Sequence, residues 1–158
     1  MPILERASER LDLMQRTRTV AILGMSANPA RASHFVATYL LGKTDWTVHY
    51  VNPRETEILG QPVFSSLADL PEPPDMVDVF RRLDDLPAVA EEAVAAGAGA
   101  VWFQLGLEHD QAAATAHEAG LDVVQNRCLK IEHARFAGGL HTAGFVTGVI
   151  DSRRGELI

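Results

Sequence analysis

The chain has 158 residues, of which 47% are hydrophobic and 22% charged, a composition that excludes a disordered or collagen-like protein and is typical of a single domain over residues 1–158. Its 21 acidic residues outnumber its 14 basic ones and no segment is a basic run, so neither nucleic acid nor a membrane surface is an expected partner. The single cysteine, Cys128, excludes an internal disulfide, and no apolar run reaches the roughly 18 residues of a membrane-spanning helix, so we expect a cytoplasmic protein.

The chain begins with a predicted amphipathic helix over residues 1–16, whose apolar positions include Leu4, Leu11 and Met14. Short runs rich in β-branched residues then predict five strands, over residues 19–23, 47–51, 76–80, 100–104 and 121–125. Segments with helical spacing lie between them, over residues 33–42, 84–97 and 110–120. Strands that alternate with helices in this way are typical of a parallel sheet.

The alternation predicts an α/β fold, a Rossmann-like doubly wound five-stranded parallel sheet in the order 3-2-1-4-5 with helices on both faces.

Two segments have no clear periodicity of hydrophobic residues. Residues 57–74 contain four of the eight prolines, so we expect an irregular connection there, with a short helix near residues 65–70. Residues 137–158 contain five of the twelve glycines, so we expect a wrapping or partly mobile tail.

The turn after the first predicted strand has the features of an anion-binding site. In a doubly wound sheet the ligand lies at the carboxyl ends of the strands, and the backbone N–H groups that begin the next helix attract negative charge. Gly24 permits a tight turn, and Ser26 and Ser33 offer hydroxyl groups. The candidate binding residues of this turn are Gly24, Met25, Ser26, Asn28, Pro29, Arg31 and Ser33. Because the pattern Gly-x-Gly-x-x-Gly is missing, a plain strand-to-helix turn is the alternative.

The residues after the second predicted strand indicate which nucleotide would fit. Proteins that bind NAD place Asp or Glu here to accept hydrogen bonds from the ribose hydroxyls, whereas this chain has Asn52, Pro53 and Arg54. An uncharged Asn beside an Arg suits a ligand with an additional phosphate on its adenosine ribose, which is either NADP or coenzyme A (CoA). Arg54 could equally be a solvated surface charge.

The third and fourth predicted strands end at the same edge of the sheet. The third ends at Phe80 and Arg81, where the ring could shelter an adenine or a pantetheine arm and the guanidinium could bind phosphate. The fourth ends at Gln104, whose amide could hydrogen-bond a ligand. The alternatives are core packing for Phe80 and a solvated charge for Arg81. Asp78, within the third strand, needs a partner such as Arg81 or a backbone N–H.

The sequence contains no recognisable catalytic set. A nucleophile needs a base that a third residue orients, and Ser26 and His34 have no apparent third partner. Cys128 lies beside Arg127 and Lys130, but a sheltered structural cysteine is favoured over a reactive one. One histidine and one carboxylate at residues 132–133 are too few for a metal site. We therefore predict neither a catalytic residue nor a metal ligand.

Several segments at these strand ends resemble the small stand-alone CoA-binding proteins, which are similar to the CoA-binding domain of the succinyl-CoA synthetase alpha subunit. The segments, between about Thr19 and Arg135, are VAILGMSANP (20–29), VNP (51–53), ILG (58–60), DMVDVFRR (75–82), VWFQLG (101–106) and NRCLKIEH (126–133). The resemblance implies a Rossmann-like domain that binds CoA, with the diphosphate at residues 24–33 and the adenosine toward Asn52, Pro53 and Arg54. It also implies that the pantetheine arm passes Val79, Phe80 and Arg81.

The ligase subunit carries a phosphorylated histidine in a second domain, and neither His133 nor His141 lies in a matching motif, so the resemblance implies binding without acyl-CoA synthesis. We therefore expect a protein that binds CoA or an acyl-CoA as a non-catalytic carrier, sensor or regulatory module. The alternatives are an NADP-linked oxidoreductase and an interaction scaffold with a vestigial nucleotide pocket. The sequence is compatible with a monomer and with a homodimer.

Overall fold

The structure, a computed structural model, describes residues 3–137 and contains a seven-stranded sheet. The strands are β1 (Thr19–Leu23), β2 (Thr47–Val51), β3 (Glu57–Ile58), β4 (Gln61–Phe64), β5 (Met76–Val79), β6 (Ala100–Phe103) and β7 (Asp122–Val124). The helices are α1 (Ala7–Arg16), α2 (Ala32–Lys43), α3 (Leu86–Ala95), α4 (Asp110–Glu118) and α5 (Leu129–Ala137). Single turns of 3₁₀ helix span Leu67–Asp69 and Leu83–Asp85.

The sheet has the order β3-β4-β2-β1-β5-β6-β7, and its neighbours are parallel except for β3 and β4, which form an antiparallel hairpin. The register aligns Leu23 at the end of β1 with Val51 of β2 and Val79 of β5. The loops that follow these strands therefore leave the sheet side by side, at one edge.

Helices cover both faces of the sheet because its central strands are apolar on both sides. Successive side chains of a strand point to opposite faces. Ile22 and Trp102 pack with buried residues of α1, α2 and α5, whereas Val77 and Phe103 pack with those of α3 and α4. The central part of the sheet is thus buried between two helical layers, and the carboxyl edge is left for a site.

The α/β class and the Rossmann-like arrangement with helices on both faces are confirmed, but the strand count of five and the identity of the third strand are wrong. The place beside β2 is taken by Gln61–Phe64, within the segment expected to be irregular, and Met76–Val79 pairs with the other side of β1. Numbered along the chain, the parallel strands have the order 3-2-1-4-5-6, which is the expected order with one strand added. The signal of β4 is weak because it is short, partly exposed and interrupted by Pro62.

The helices between the strands lie close to their expected positions, whereas the leading helix and the expected short helix near residues 65–70 differ from the prediction. The leading helix begins at Ala7, and Ile3 instead pairs with Val123 at the edge of the sheet. The expected short helix near residues 65–70 is a single 3₁₀ turn. The predicted tail lies outside the described residues from position 138 onward. Within residues 3–137 no helix has both the length and the apolar character needed to cross a membrane.

Candidate ligand-binding cleft

A cleft of about 710 Å³ runs along the carboxyl edge of the sheet, where the loops after β1, β2, β5, β6 and β7 meet the first turns of α2 and α5. Its lining includes these residues predicted from the sequence: Gly24, Ser26, Arg31, Ser33, Asn52, Arg54, Phe80, Arg81 and Gln104. An adjoining cleft of about 680 Å³ includes Pro53. The other predicted residues do not line either cleft, since Met25 and Val79 are fully buried and Asn28 and Pro29 are exposed in the turn.

Gly24 occupies a position where only glycine fits. Its φ of +89° is in the left-handed region, and a Cβ atom there would lie 2.1 Å from the carbonyl oxygen of Phe80. The N–H of Gly24 donates to the carbonyl oxygen of Val51 at 2.9 Å, and the N–H of Phe80 donates to that of Leu23 at 2.9 Å. These contacts hold the ends of three strands together, so that the backbone of the turn itself lines the cleft.

The polar side chains of the turn after β1 are engaged with one another. Ser33 Oγ accepts a hydrogen bond from the N–H of Ser26 at 3.0 Å, and Ser26 Oγ accepts one from the N–H of Asn28 at 3.0 Å. Asn28 Oδ1 in turn accepts from the N–H of Ala30 at 2.9 Å. These side chains therefore shape the turn, and Asn28 does so from outside the cleft.

The first turn of α2 presents unused backbone donors to the cleft. Ala32 and Ser33 line the cleft, and their N–H groups have no hydrogen-bond partner among residues 3–137. This turn contains no acidic residue, so nothing on the helix itself offsets the positive end of its dipole. A helix start of this kind attracts phosphate and other anions.

Three arginines surround the same end of the cleft. Arg31 and Arg54 are exposed and form no ion pair within the described part of the chain, whereas Arg81 pairs with Asp85 at 3.3 Å. Unpaired guanidinium groups beside free N–H donors make this end of the cleft electropositive, although the chain as a whole is acidic.

Asn52 joins the loop after β2 to the turn after β1. Its Nδ2 donates to the carbonyl oxygen of Met25 at 2.7 Å, and its Oδ1 accepts from the N–H of Arg54 at 2.8 Å. Asn52 therefore holds the N–H of Arg54 beside the turn after β1, and its amide keeps one further N–H and one further lone pair for a ligand.

The opposite end of the cleft is uncharged, and sequence reasoning did not select most of its residues. Leu105, Leu107, Cys128 and Ile131 line it together with Gln104. Leu105 is 65% exposed and Ile131 is 51% exposed, so two large apolar side chains stand open beside the cleft. The available signal was positional: Leu105 follows the fourth predicted strand and Cys128 the fifth, which places both at the carboxyl edge.

Burial shifts the pKa values of Asp78 on β5 and His133 on α5 from their usual ranges. Asp78 is fully buried on β5, its carboxylate oxygens have no partner among residues 3–137, and burial raises the pKa of its carboxyl well above the usual range. The expected partnership of Asp78 with Arg81 or a backbone N–H is therefore wrong.

His133 Nδ1 lies 2.9 Å from the Tyr39 hydroxyl oxygen, and partial burial lowers the pKa of His133. Among the described residues no cluster of three or more His, Cys, Asp or Glu could hold a metal ion.

Fold and cleft together define a Rossmann-like binding domain, with its site at the carboxyl edge of a parallel sheet and an anion-attracting turn after the first strand. Comparison with known proteins makes this class specific. Residues 18–134 match the family described as CoA binding domain, and the chain belongs to that family. The resemblance inferred from the sequence is thereby confirmed.

Relatives of the chain include small proteins of similar length. YneT of Bacillus subtilis (strain 168) is 36% identical over 127 residues, which are 80% of this chain and 93% of YneT. The structure of cell-free ID.343 from Thermus thermophilus has 37% identity and a TM-score of 0.77, over 82% of this chain and 98% of that one. The dinucleotide forming acetyl-coenzyme A synthetase 1 of Ca. Korarchaeum cryptofilum shares the fold at 19% identity and a TM-score of 0.67, over 73% of this chain and 28% of the synthetase.

Proposed function

We propose that the chain binds coenzyme A along the cleft, with the phosphorylated ADP part at the arginine end and the pantetheine arm toward Gln104. The observation that carries the proposal is the polarity of the cleft, which has free backbone donors and arginines at one end and uncharged side chains at the other. CoA has the same polarity, since a highly charged nucleotide continues into a neutral arm. Membership of the CoA binding domain family supports the same ligand.

The diphosphate is assigned to the first turn of α2. The N–H groups of Ala32 and Ser33 and the guanidinium of Arg31 are the available donors there. Gly24 lets the ligand approach the backbone closely, because no side chain intervenes. Ser26, at the cleft surface, lies beside the same position.

The remaining predicted residues of the turn support it without reaching the ligand. Met25 is fully buried at the turn, Asn28 holds its outer part by hydrogen bonds, and Pro29 is exposed beside Asn28. Their contribution to binding is therefore the shape of the backbone that faces the diphosphate.

The phosphate on the adenosine ribose is assigned to Arg54. This guanidinium has no ion-pair partner among residues 3–137, and Asn52 orients the loop that carries it. Pro53 lines the adjoining cleft, where the adenosine would extend. A free, planar guanidinium is well suited to bind a phosphate monoester by two parallel hydrogen bonds.

The pantetheine arm crosses the ends of β5 and β6. Phe80 is half-buried and lines the cleft at this point, with Arg81 beside it and Val79 as part of the buried floor. The ends of β2 and β7 are four strand spacings apart, roughly 19 Å. A ligand that uses the whole cleft must therefore be long, and an extended arm meets this requirement.

The role that fits this site is a non-catalytic carrier, sensor or regulatory module. Ser26 Oγ is engaged with the N–H of Asn28 and has no base beside it among the described residues. A nucleophile without an oriented base gives little acyl-transfer activity.

Isothermal titration of ligand-free protein with CoA, dephospho-CoA, NADP and NAD in one buffer tests the proposal. We expect tight binding of CoA, about tenfold weaker binding of dephospho-CoA, and binding of NADP and NAD at least about 100-fold weaker. Preference for NADP would favour an oxidoreductase instead, and no binding of any of the four would favour an interaction scaffold.

The variant Arg54→Gln tests the assignment of the ribose phosphate. It should weaken CoA binding about tenfold and leave dephospho-CoA binding nearly unchanged, with the CoA effect shrinking at high salt. Arg18→Gln is the matched control, since it removes the same charge at the opposite edge of the sheet, before β1. Equal losses for both ligands would contradict the assignment.

A further inference from the structure

The uncharged end of the cleft contains the chain's single cysteine. Cys128 lies between β7 and α5, lines the cleft and is only partly buried, so its thiol is accessible from the cleft. If CoA lies as proposed, its arm ends in a thiol at this same end. The two sulfur atoms would then share one part of the cleft.

Two side chains of the β6 segment hold the backbone on either side of Cys128. Trp102 Nε1 donates to the carbonyl oxygen of Arg127 at 2.8 Å, and the N–H of Leu129 donates to Gln104 Oε1 at 3.2 Å. Trp102 is fully buried and Gln104 is 5% exposed, so both anchors are part of the packed interior. The thiol of Cys128 is therefore presented at a fixed place on the cleft wall.

Gln104 also carries an unused donor that points to a ligand. Its Oε1 is assigned by the hydrogen bond from Leu129, which leaves Nε2 as the other end of the amide. Nε2 has no partner among residues 3–137, and Gln104 lines the cleft. An amide N–H without a protein partner at the wall of a cleft is free to donate to a ligand. The amide carbonyl groups of a pantetheine arm are acceptors of the required type.

We propose that Cys128 is a site of reversible mixed-disulfide formation with CoA by thiol–disulfide exchange. The inference rests on the proposed function, because CoA binding brings the sulfur atoms together. The Cys128 thiolate attacks one sulfur of CoA disulfide, the Cys128–CoA disulfide bond forms as the original disulfide bond breaks, and the second CoA leaves as its thiolate. One disulfide bond replaces another, so no further oxidant is needed, and the proton of the Cys128 thiol passes through solvent to the released CoA.

Mass spectrometry of the denatured protein after incubation with CoA disulfide tests the proposal. We expect one CoA moiety per chain, removed again by a thiol reductant, and because the chain has one cysteine the adduct is assigned without peptide mapping. Pantethine is the matched reagent, since it carries the same arms and disulfide without the nucleotide. The adduct with CoA disulfide should form at least about tenfold faster than that with pantethine at equal concentration.

Two variants separate directed reaction from general thiol reactivity. Arg54→Gln should slow the reaction with CoA disulfide and leave that with pantethine unchanged, whereas Arg18→Gln should alter neither rate. Equal rates for the two reagents, or no adduct, would overturn the proposal. Titration of the reduced protein with CoA under reductant measures CoA binding separately, so that failure of the disulfide proposal can be distinguished from failure of the proposed function. CoA binding without an adduct leaves the proposed function intact, and no CoA binding with equal rates contradicts both.

Discussion

The charged side chains of this protein fall into two regions that are built in opposite ways. In the cleft, Arg31 and Arg54 are exposed and have no ion-pair partner among residues 3–137. In the interior, Arg10 and Glu132 are each 3% exposed and lie 2.7 Å apart, Arg10 Nε to Glu132 Oε1. Unpaired cations are therefore kept where solvent, or an anionic ligand, can meet them.

The difference separates a binding role from a structural one. An exposed arginine loses little by remaining unpaired and can exchange water for a phosphate, whereas a buried charge must have its partner within the fold. Arg10 also donates to the carbonyl oxygen of Glu5 at 2.6 Å, so its guanidinium joins α1, α5 and the chain before α1. Since α5 also carries Ile131 of the cleft lining, the buried pair connects α1 to the helix at the uncharged end of the site.

Breaking the buried ion pair of Arg10 and Glu132 should give the largest effect on stability. Glu132→Leu leaves the Arg10 guanidinium buried without its carboxylate, and we expect a loss of about 3–5 kcal/mol in the free energy of unfolding, measured by urea denaturation. The double variant Arg10→Leu with Glu132→Leu removes both charges and should recover most of that loss. A loss below about 1 kcal/mol in the single variant would show that solvent reaches the pair.

Placing a negative charge in the cleft should give a large effect on binding with a small effect on stability. Ser26→Asp can still accept the hydrogen bond from the N–H of Asn28, so the turn should persist. Its carboxylate would lie beside the proposed diphosphate and should weaken CoA binding at least about 100-fold. Ser26→Asn has the same size without the charge, and equal affinities of the two variants, measured by titration calorimetry, would argue against a diphosphate at this turn.

The parts of the fold that sequence predicts are those with local signals. The β-branched runs of β1, β2, β5, β6 and β7 each reveal a strand, and Gly24 reveals the turn that follows the first. β4 was missed because a four-residue strand with a proline has a weak local pattern, and its pairing with β2 decides its structure. The strand order therefore needed information that the local pattern does not contain.

The candidate site also has a part that local sequence signals predict and a part that depends on contacts between distant residues. The turn after β1 and the arginines could be located from their positions after strands, and the structure places them along one cleft. The engagement of Asn52 with Met25 joins residues 27 positions apart, and the buried pair of Arg10 with Glu132 joins residues 122 apart. Contacts of this range depend on packing, so the role of each polar side chain could not be predicted from its sequence neighbours.

The buried carboxyl group of Asp78, which has no partner among residues 3–137, gives an effect that depends on pH. Because burial raises the pKa of Asp78 in the folded protein, its contribution to stability is fully present below the pKa of an unfolded aspartate, about 3.9, and is lost as the pH rises through the folded value. Asp78→Asn stays neutral, so the variant should gain stability relative to wild type as the pH rises above about 4. Urea denaturation at several pH values measures this difference, with Asp45→Asn as the control for loss of an exposed carboxylate. A difference that does not change with pH would contradict a raised pKa of Asp78 in the folded protein.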